Sequence, residues 1–306
     1  MTELLRIATR KSPLALKQTE IFAHQLKKQW PKLKIELVPM STQGDELLDR
    51  SLQTLGGKGL FIKELEKALL EGRADIAVHS MKDVPAQLPD ELTLACICQR
   101  DNPFDALVSP KKQDLLELNT GALIGTASLR RQAQLLALRP DLQVKILRGN
   151  INTRLEKLLQ GQYDAIILAC AGLERMNMHH HIHQQLSADM MLPACGQGAI
   201  GIECRKNDKK TQQLLHPLNH KDTALCVNIE REINARLGGH CHVPIAIFAQ
   251  LIDDSIIELN ARVFNSKGTK KITFYQRTSV DSAMEIARSC AQELLDKGAE
   301  ELIKSL

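Results

Sequence analysis

The sequence predicts a mixed α/β protein of three domains. Three observations carry that prediction. Short apolar strands alternate with amphipathic helices, the alternation is echoed once along the chain, and the residues after Leu218 change to strand, strand, strand and helix.

Residues 4–9 read as a strand. Ser12 and Pro13 supply a side-chain cap and a ring already set for the first helical position, so a helix is predicted from Leu14 to about Gln29. A second strand is expected over residues 34–40, and Gly44, Gly56, Gly57 and Gly59 among polar residues mark 42–60 as a mobile loop. A helix over 61–71 ends at Gly72, and 75–79 is a short apolar strand. The pattern then returns. Ile124 to Ser128 resembles Ile7 to Ser12, and Leu158 to Asp164 resembles Leu69 to Asp75, in the same order, which predicts two similar α/β lobes. Residues 243–251, 256–264 and 271–277 read as an antiparallel meander, and Ala283, Ile286, Ala287, Cys290 and Leu294 form the apolar stripe of a helix over about 281–296.

Composition narrows the function. A chain of 306 residues with 43% hydrophobic and 25% charged residues is globular and long enough for two or three cores. Aromatics make up only 3%, which leaves few stacking platforms for single-stranded nucleic acid. The formal charge of +4 is mild, so the placing of the arginines matters more than their sum. The first residues run straight into a strand without a basic and apolar leader, and no apolar run approaches the roughly 18 residues of a membrane span. The eight cysteines contain no Cys-x-x-Cys pair. Buried thiols in a reducing, cytoplasmic setting are expected, with Cys96 and Cys98 on opposite faces of a strand.

Arginines gather where helices begin. Thr126 to Arg131 places Ser128, Arg130 and Arg131 at a strand-to-helix turn, Arg148 and Arg154 flank the next helix start, and Arg10, Lys11 and Ser12 stand at the first. Cations there oppose the helix dipole at up to about 1 kcal/mol each. The placement makes sense if an anion sits between them, and a planar guanidinium suits carboxylates and phosphates. Lys82 and Asp83 follow an apolar strand at its carboxyl end, where open α/β sheets bind ligands. His79 beside them is read as structural. Cys241 lies between His240 and His242 after two glycines, in a loop that could supply a nucleophile or a metal ligand. The run His179 to His181 with His183 reads as a solvated polar loop. Gly56 to Phe61 lacks the spacing of a nucleotide-binding loop. Two further readings remain open on the residues alone: a two-lobed anion receptor and a basic nucleic-acid binder.

Taken in order, Arg6 to Leu16, Gly56 to Phe61, His79 to Pro85, Gly125 to Gln132, Leu147 to Asn150 and Pro193 to Ala199 resemble the motifs of the porphobilinogen deaminases. The likeness runs through essentially the whole chain. It implies two lobes like type II periplasmic binding proteins plus a small α+β C-terminal domain with a three-stranded antiparallel sheet. The domains would be 1–98 with 197–217, then 99–196, then 218–306. The activity implied is that of a transferase joining four porphobilinogen units head to tail, with loss of ammonia, into linear hydroxymethylbilane. The cofactor implied is a dipyrromethane primer attached covalently through Cys241. Asp83 would be the catalytic acid. Arg10, Ser12, Lys82, Thr126, Ser128, Arg130, Arg131, Arg148 and Arg154 would hold cofactor and substrate carboxylates, with Gln18, Lys58, Phe61 and Gln197 as lesser candidates. The resemblance implies a monomer with no metal, nucleic-acid partner or membrane partner. One departure stands out: the family has Gly before the cysteine, and here it is His240. A position needing positive φ would burden that side chain.

Overall fold

The computed structural model describes residues 4–42, 62–239 and 243–304. In chain order the first elements are β1 (Leu4–Arg10), α1 (Pro13–Gln29), β2 (Lys34–Met40), α2 (Lys63–Leu70), β3 (Ile76–Ser80) and β4 (Leu92–Ile97). Then come β5 (Asp105–Val108), β6 (Leu123–Gly125), α3 (Leu129–Leu138), β7 (Gln143–Lys145), α4 (Ile151–Leu159), β8 (Ala165–Ala169), α5 (Cys170–Arg175) and β9 (Gln184–Leu186). The chain continues through β10 (Ile200–Arg205), α6 (Lys209–Leu215), α7 (Lys221–Arg236), β11 (Ile245–Leu251), β12 (Ile256–Phe264), β13 (Lys271–Ser279), α8 (Ala283–Asp296) and α9 (Ala299–Lys304). The expected loop over 42–60 falls almost wholly outside the described residues, as do Lys58, Phe61, His240, Cys241 and His242.

Two compact units result: Met1–Asp101 with Ala199–Ala224, and Asn102–Gly198 with Leu225–Leu306. The first is built on a sheet of order β2-β1-β3-β10-β4, in which β1 runs parallel to β2 and β3 while β10 is antiparallel to both its neighbours. Strand alternation sorts its core: Leu5 and Ile7 pack with Phe22 and Leu26 of α1, and Ala8 packs with Leu65 and Leu69 of α2. The second unit contains a sheet of order β7-β6-β8-β5-β9, with β6 parallel to β7 and β8 and β5 antiparallel to both its neighbours.

The two five-stranded sheets therefore share one plan, and the sequence echo lies at equivalent places in each. Asp75 and Asp164 both precede the third strand of the plan. The Asp75 carboxylate accepts the Arg6 N–H at 2.8 Å while its own N–H donates to the Arg6 carbonyl at 2.9 Å. Asp164 does the same with Leu123, at 2.8 and 2.9 Å. Gly72 and Gly161, three residues earlier, have φ of +69° and +74°, the left-handed turn that ends each preceding helix. Two lobes of one fold are the physical meaning of the repeat.

The remainder of the second unit is the expected three-stranded antiparallel sheet, β11-β12-β13. Ile257, Leu259, Ala261 and Val263 point inward from β12 onto Ile229 and Ile233 of α7 and Ala287, Cys290 and Leu294 of α8. A short 3₁₀ turn, Val280–Ser282, replaces the first turn expected of the last helix. One expectation is corrected. Cys96 and Cys98 belong to the same core cluster, because residues two apart on an extended chain face the same way. Their mutual contact and burial push the Cys96 thiol far up.

Within the second unit, the turn between β12 and β13 seats against α3. Gly268 has φ +69°, and a Cβ there would lie 2.2 Å from the Ala133 carbonyl oxygen. Gln132 Nε2 donates to the Ser266 carbonyl at 3.3 Å. Gly268→Ala combines backbone strain with a clash against backbone, so a loss of about 2 kcal/mol or more is expected. A melting temperature lower by about 4–8 °C is the expected reading, and an unchanged one would contradict this seating.

Candidate active site

In the first unit, the site grows from the carboxyl end of β3. A single 3₁₀ turn, Met81–Asp83, follows the strand and leaves Lys82 and Asp83 half-buried. Met81 anchors the turn and is 1% exposed. Its side chain fits only because residue 201 on the neighbouring strand is glycine: a Cβ there would come within 2.1 Å of the Met81 sulfur. Gln18, buried on α1, shares hydrogen bonds of 2.9 and 3.1 Å with the Ser80 hydroxyl. Ser12 caps α1 by accepting the Ala15 N–H at 3.4 Å, with Pro13 behind it. His79 is buried and pairs with buried Glu203 at 2.9 Å, which is a structural place.

Arg10, Ala15, Gln18, Ile62, Val78, His79, Ser80 and Asp83 line a shallow recess. Among the described residues, the Asp83 carboxylate has neither a hydrogen-bond partner nor an ion-pair partner. The recess thus combines an acid unclaimed by described protein groups, a guanidinium and an amide.

The second unit uses the equivalent strand end differently. Thr126, buried just after β6, accepts the Ser128 N–H at 3.2 Å, and Ser128 caps α3 by accepting the Arg131 N–H at 3.4 Å. Arg130 and Arg131 turn inward, only 5% and 6% exposed. Both meet Asp105, which is completely inaccessible. Arg131 donates to Asp105 Oδ1 through Nε at 3.0 Å and Nη2 at 2.7 Å, and to the Ile167 carbonyl at 2.9 Å. Arg130 Nη1 lies 2.8 Å from Asp105 Oδ2 and donates to the Leu192 carbonyl at 2.6 Å. Gln197, 1% exposed, adds its Nε2 to Asp105 Oδ1 at 3.0 Å.

Burial alone would raise the Asp105 carboxyl, but the charges and hydrogen bonds of Arg130 and Arg131 outweigh it and hold the group well below the usual carboxylate range. Burial lowers the Arg130 guanidinium, against the pull of Asp105. One carboxylate between two guanidiniums leaves one positive charge at the start of α3. That charge is what distinguishes this helix start.

At the next helix start, Asn150 caps α4 by accepting the Thr153 N–H at 3.0 Å. Arg154 Nε donates to the Gly149 carbonyl at 2.7 Å, and both Arg148 and Arg154 are half-buried. Gly149 has φ +115°, and a Cβ there would meet Thr153 at 2.8 Å. Arg175 on α5, 9% exposed, donates to the Gly198 carbonyl at 2.6 Å.

The expected site residues thus fall into a recess group (Arg10, Gln18 and Asp83, with Ser12 and Lys82 adjoining in sequence) and a helix-start group (Thr126, Ser128, Arg130, Arg131, Arg148, Arg154, with Gln197). Asp105 was missed. An acid opening the otherwise apolar run Asp105 to Val108 is the signal that could have found it.

Family models match two parts of the chain: "Porphobilinogen deaminase, dipyromethane cofactor binding domain" over residues 5–213, and "Porphobilinogen deaminase, C-terminal domain" over residues 224–296. The chain belongs to the porphobilinogen deaminase family. Curated relatives named porphobilinogen deaminase from the Paris and Philadelphia 1 strains of Legionella pneumophila are each 54% identical over 304 residues, covering 99% of this chain and 98% of theirs. Among solved structures, the periplasmic VFT2 domain of Bordetella pertussis BvgS aligns with a TM-score of 0.43 at 15% identity, over 72% of this chain and 90% of its own.

As a member of this family the protein is a transferase of tetrapyrrole biosynthesis with a dipyrromethane cofactor. The donor set fits such a group. α1, α3 and α4 begin without an acidic residue in the first turn while basic residues stand in or beside each start, a composition suited to several carboxylates.

Asp105 also sets an acid-stability signature. Its folded-state value lies far below that of an unfolded aspartate, about 3.9, so its contribution is full at neutral pH and declines as pH falls below that value. Asp105→Asn leaves two buried guanidiniums without their counter-charge. A loss of about 3–5 kcal/mol in urea unfolding at neutral pH is expected, with the gap to the parent chain narrowing in strong acid. A gap that stays constant with pH would contradict the charge assignment.

Proposed function

We propose that Asp83 is the catalytic residue of the porphobilinogen polymerisation and that Cys241 carries the primer. The observation that carries the first assignment is the recess in which the Asp83 carboxylate, without a described protein partner, stands with Arg10, Gln18 and Ser80. Each porphobilinogen is an aminomethylpyrrole with acetate and propionate arms, so the growing product accumulates carboxylates. Arg10, Ser12 and Lys82 bind these arms in the first lobe. Thr126, Ser128, Arg130, Arg131, Arg148 and Arg154 bind them in the second, where Arg130 and Arg131 act largely through the charge that Asp105 leaves over. Gln18, Lys58, Phe61 and Gln197 have supporting places.

When bound, the dipyrromethane supplies the free pyrrole α-carbon on which the chain is extended. Loss of ammonia leaves positive charge on the substrate's ring nitrogen. An Asp83 oxygen within about 4 Å of that nitrogen lowers the energy by about 4 kcal/mol at an effective dielectric near 20. The same carboxylate takes the proton released from the ring carbon once the new bond has formed, a service worth about 10²–10⁴ in rate. Arg10 beside it holds a substrate carboxylate and so fixes the ring against Asp83.

The three-domain division at 1–98 with 197–217, 99–196 and 218–306 belongs to the same proposal, as do a monomeric state and a cytoplasmic location. No described helix is long and apolar enough to cross a membrane.

Intact mass and turnover test the two assignments together. Asp83→Asn keeps the mass of two pyrrole units beyond the polypeptide and loses turnover by about 10²–10⁴-fold; near-normal turnover would remove Asp83 from its role. Cys241→Ala lacks the added mass, and an adduct surviving on another cysteine would move the attachment.

A further inference from the structure

Glu230 on α7 is completely buried, and neither the recess nor the Asp105 group uses it directly. Its Oε2 accepts the Gly196 N–H at 2.6 Å and its Oε1 accepts the Ala249 N–H at 2.9 Å. The first belongs to the turn around Pro193–Gly198, the second to β11. Gly196 and Gly198 have φ of +69° and +89°, and the Gln197 N–H closes the turn onto the Ala194 carbonyl at 2.9 Å. A turn of this shape projects Gln197 in one direction. Its Nε2 reaches the Pro103 carbonyl at 2.7 Å and Asp105 Oδ1 at 3.0 Å. Asp105 in turn holds both guanidiniums.

A continuous set of buried polar contacts therefore runs from α7 to the start of α3. A second set parallels it: Arg262 of β12 donates to the Asp189 carbonyl at 3.0 Å and approaches Gln134 of α3 at 3.4 Å, and Gln134 also holds Leu192 through its N–H and carbonyl, at 2.9 and 3.0 Å. In sequence, α7 ends at Arg236, five residues before Cys241. The helix that leads to the primer's attachment point thus also supports the turn behind the arginine pair.

We infer that Glu230 is a positioning residue, setting through Gly196 and Gln197 the geometry in which Asp105 presents Arg130 and Arg131 to the carboxylates of cofactor and substrate. The inference rests on the proposed carboxylate-binding role of those arginines. A purely local role would make Glu230 a tie between α7 and β11 with no consequence at α3.

The test uses the full primer-loaded chain. Glu230→Gln keeps the shape but turns an amide N–H₂ towards one of two backbone donors. Amide hydrogen exchange at Gly196 and Ala249 is expected to accelerate, while the KM for porphobilinogen rises about tenfold or more and kcat changes far less. Gln197→Met, which removes the amide that bonds Asp105 and the Pro103 carbonyl while leaving Glu230 in place, is expected to reproduce the KM change with Ala249 exchange unaltered, and it decides the matter should the Glu230 variant not fold. Faster exchange with an unchanged KM in Glu230→Gln, or an unchanged KM in Gln197→Met, overturns the inference. Arg148→Leu separates the two levels. A raised KM there with none in the other variants defeats the positioning role alone, whereas no rise in any variant defeats the carboxylate-binding reading as well.

Discussion

The Asp105 carboxylate between two guanidiniums is the constraint from which the rest of the second lobe follows. Two adjacent cations at a helix N-terminus oppose the dipole, and removing them from water costs several kcal/mol per ion. Only a fully buried carboxylate makes that arrangement tenable, and it must arrive from outside the helix. The antiparallel strand β5 delivers it. The turn carrying Gln197 holds Asp105, while the Ser128 cap and the carbonyls of Ile167 and Leu192 hold the arginines of α3 against it. The surplus positive charge is what the proposed carboxylate binding draws on.

The first lobe answers the same topology with different chemistry. Its third strand ends in a turn anchored by an apolar residue, Met81, in a space that Gly201 leaves open. No described ion pair ties Asp83 down. A binding group can be rigidly neutralised in part and still attract carboxylates through net charge. The role proposed for Asp83, accepting a proton and facing a cationic ring, requires that its oxygens stay available. The duplicated frame, with matching Asp75 and Asp164 contacts, thus supports a firmly held cation pair in one copy and, in the other, an acid without a partner among the described residues.

Much of this was legible in the sequence. Ser12–Pro13 and Ser128 announced helix starts through local capping chemistry, and the alternation of β12 announced its inward face. The two lobes were legible because the Gly72–Asp75 and Gly161–Asp164 turns need the same residues at the same spacing. The direction of the arginines was not. Whether Arg130 faces outward or into the protein depends on Asp105, 25 residues earlier on a strand whose pairing no local pattern encodes. Glu230 was hidden for the same reason, since it accepts from backbone N–H groups of two distant segments. Cys96 and Cys98 were misjudged by overlooking the two-residue period of a strand.

The most direct test of the central interaction is an atomic-resolution crystal structure of the protein with its primer attached. Both guanidiniums of Arg130 and Arg131 should remain within hydrogen-bond distance of Asp105, in a buried cluster with Gln197. A structure in which Asp105 has turned away and the two arginines stand apart from it would contradict the account.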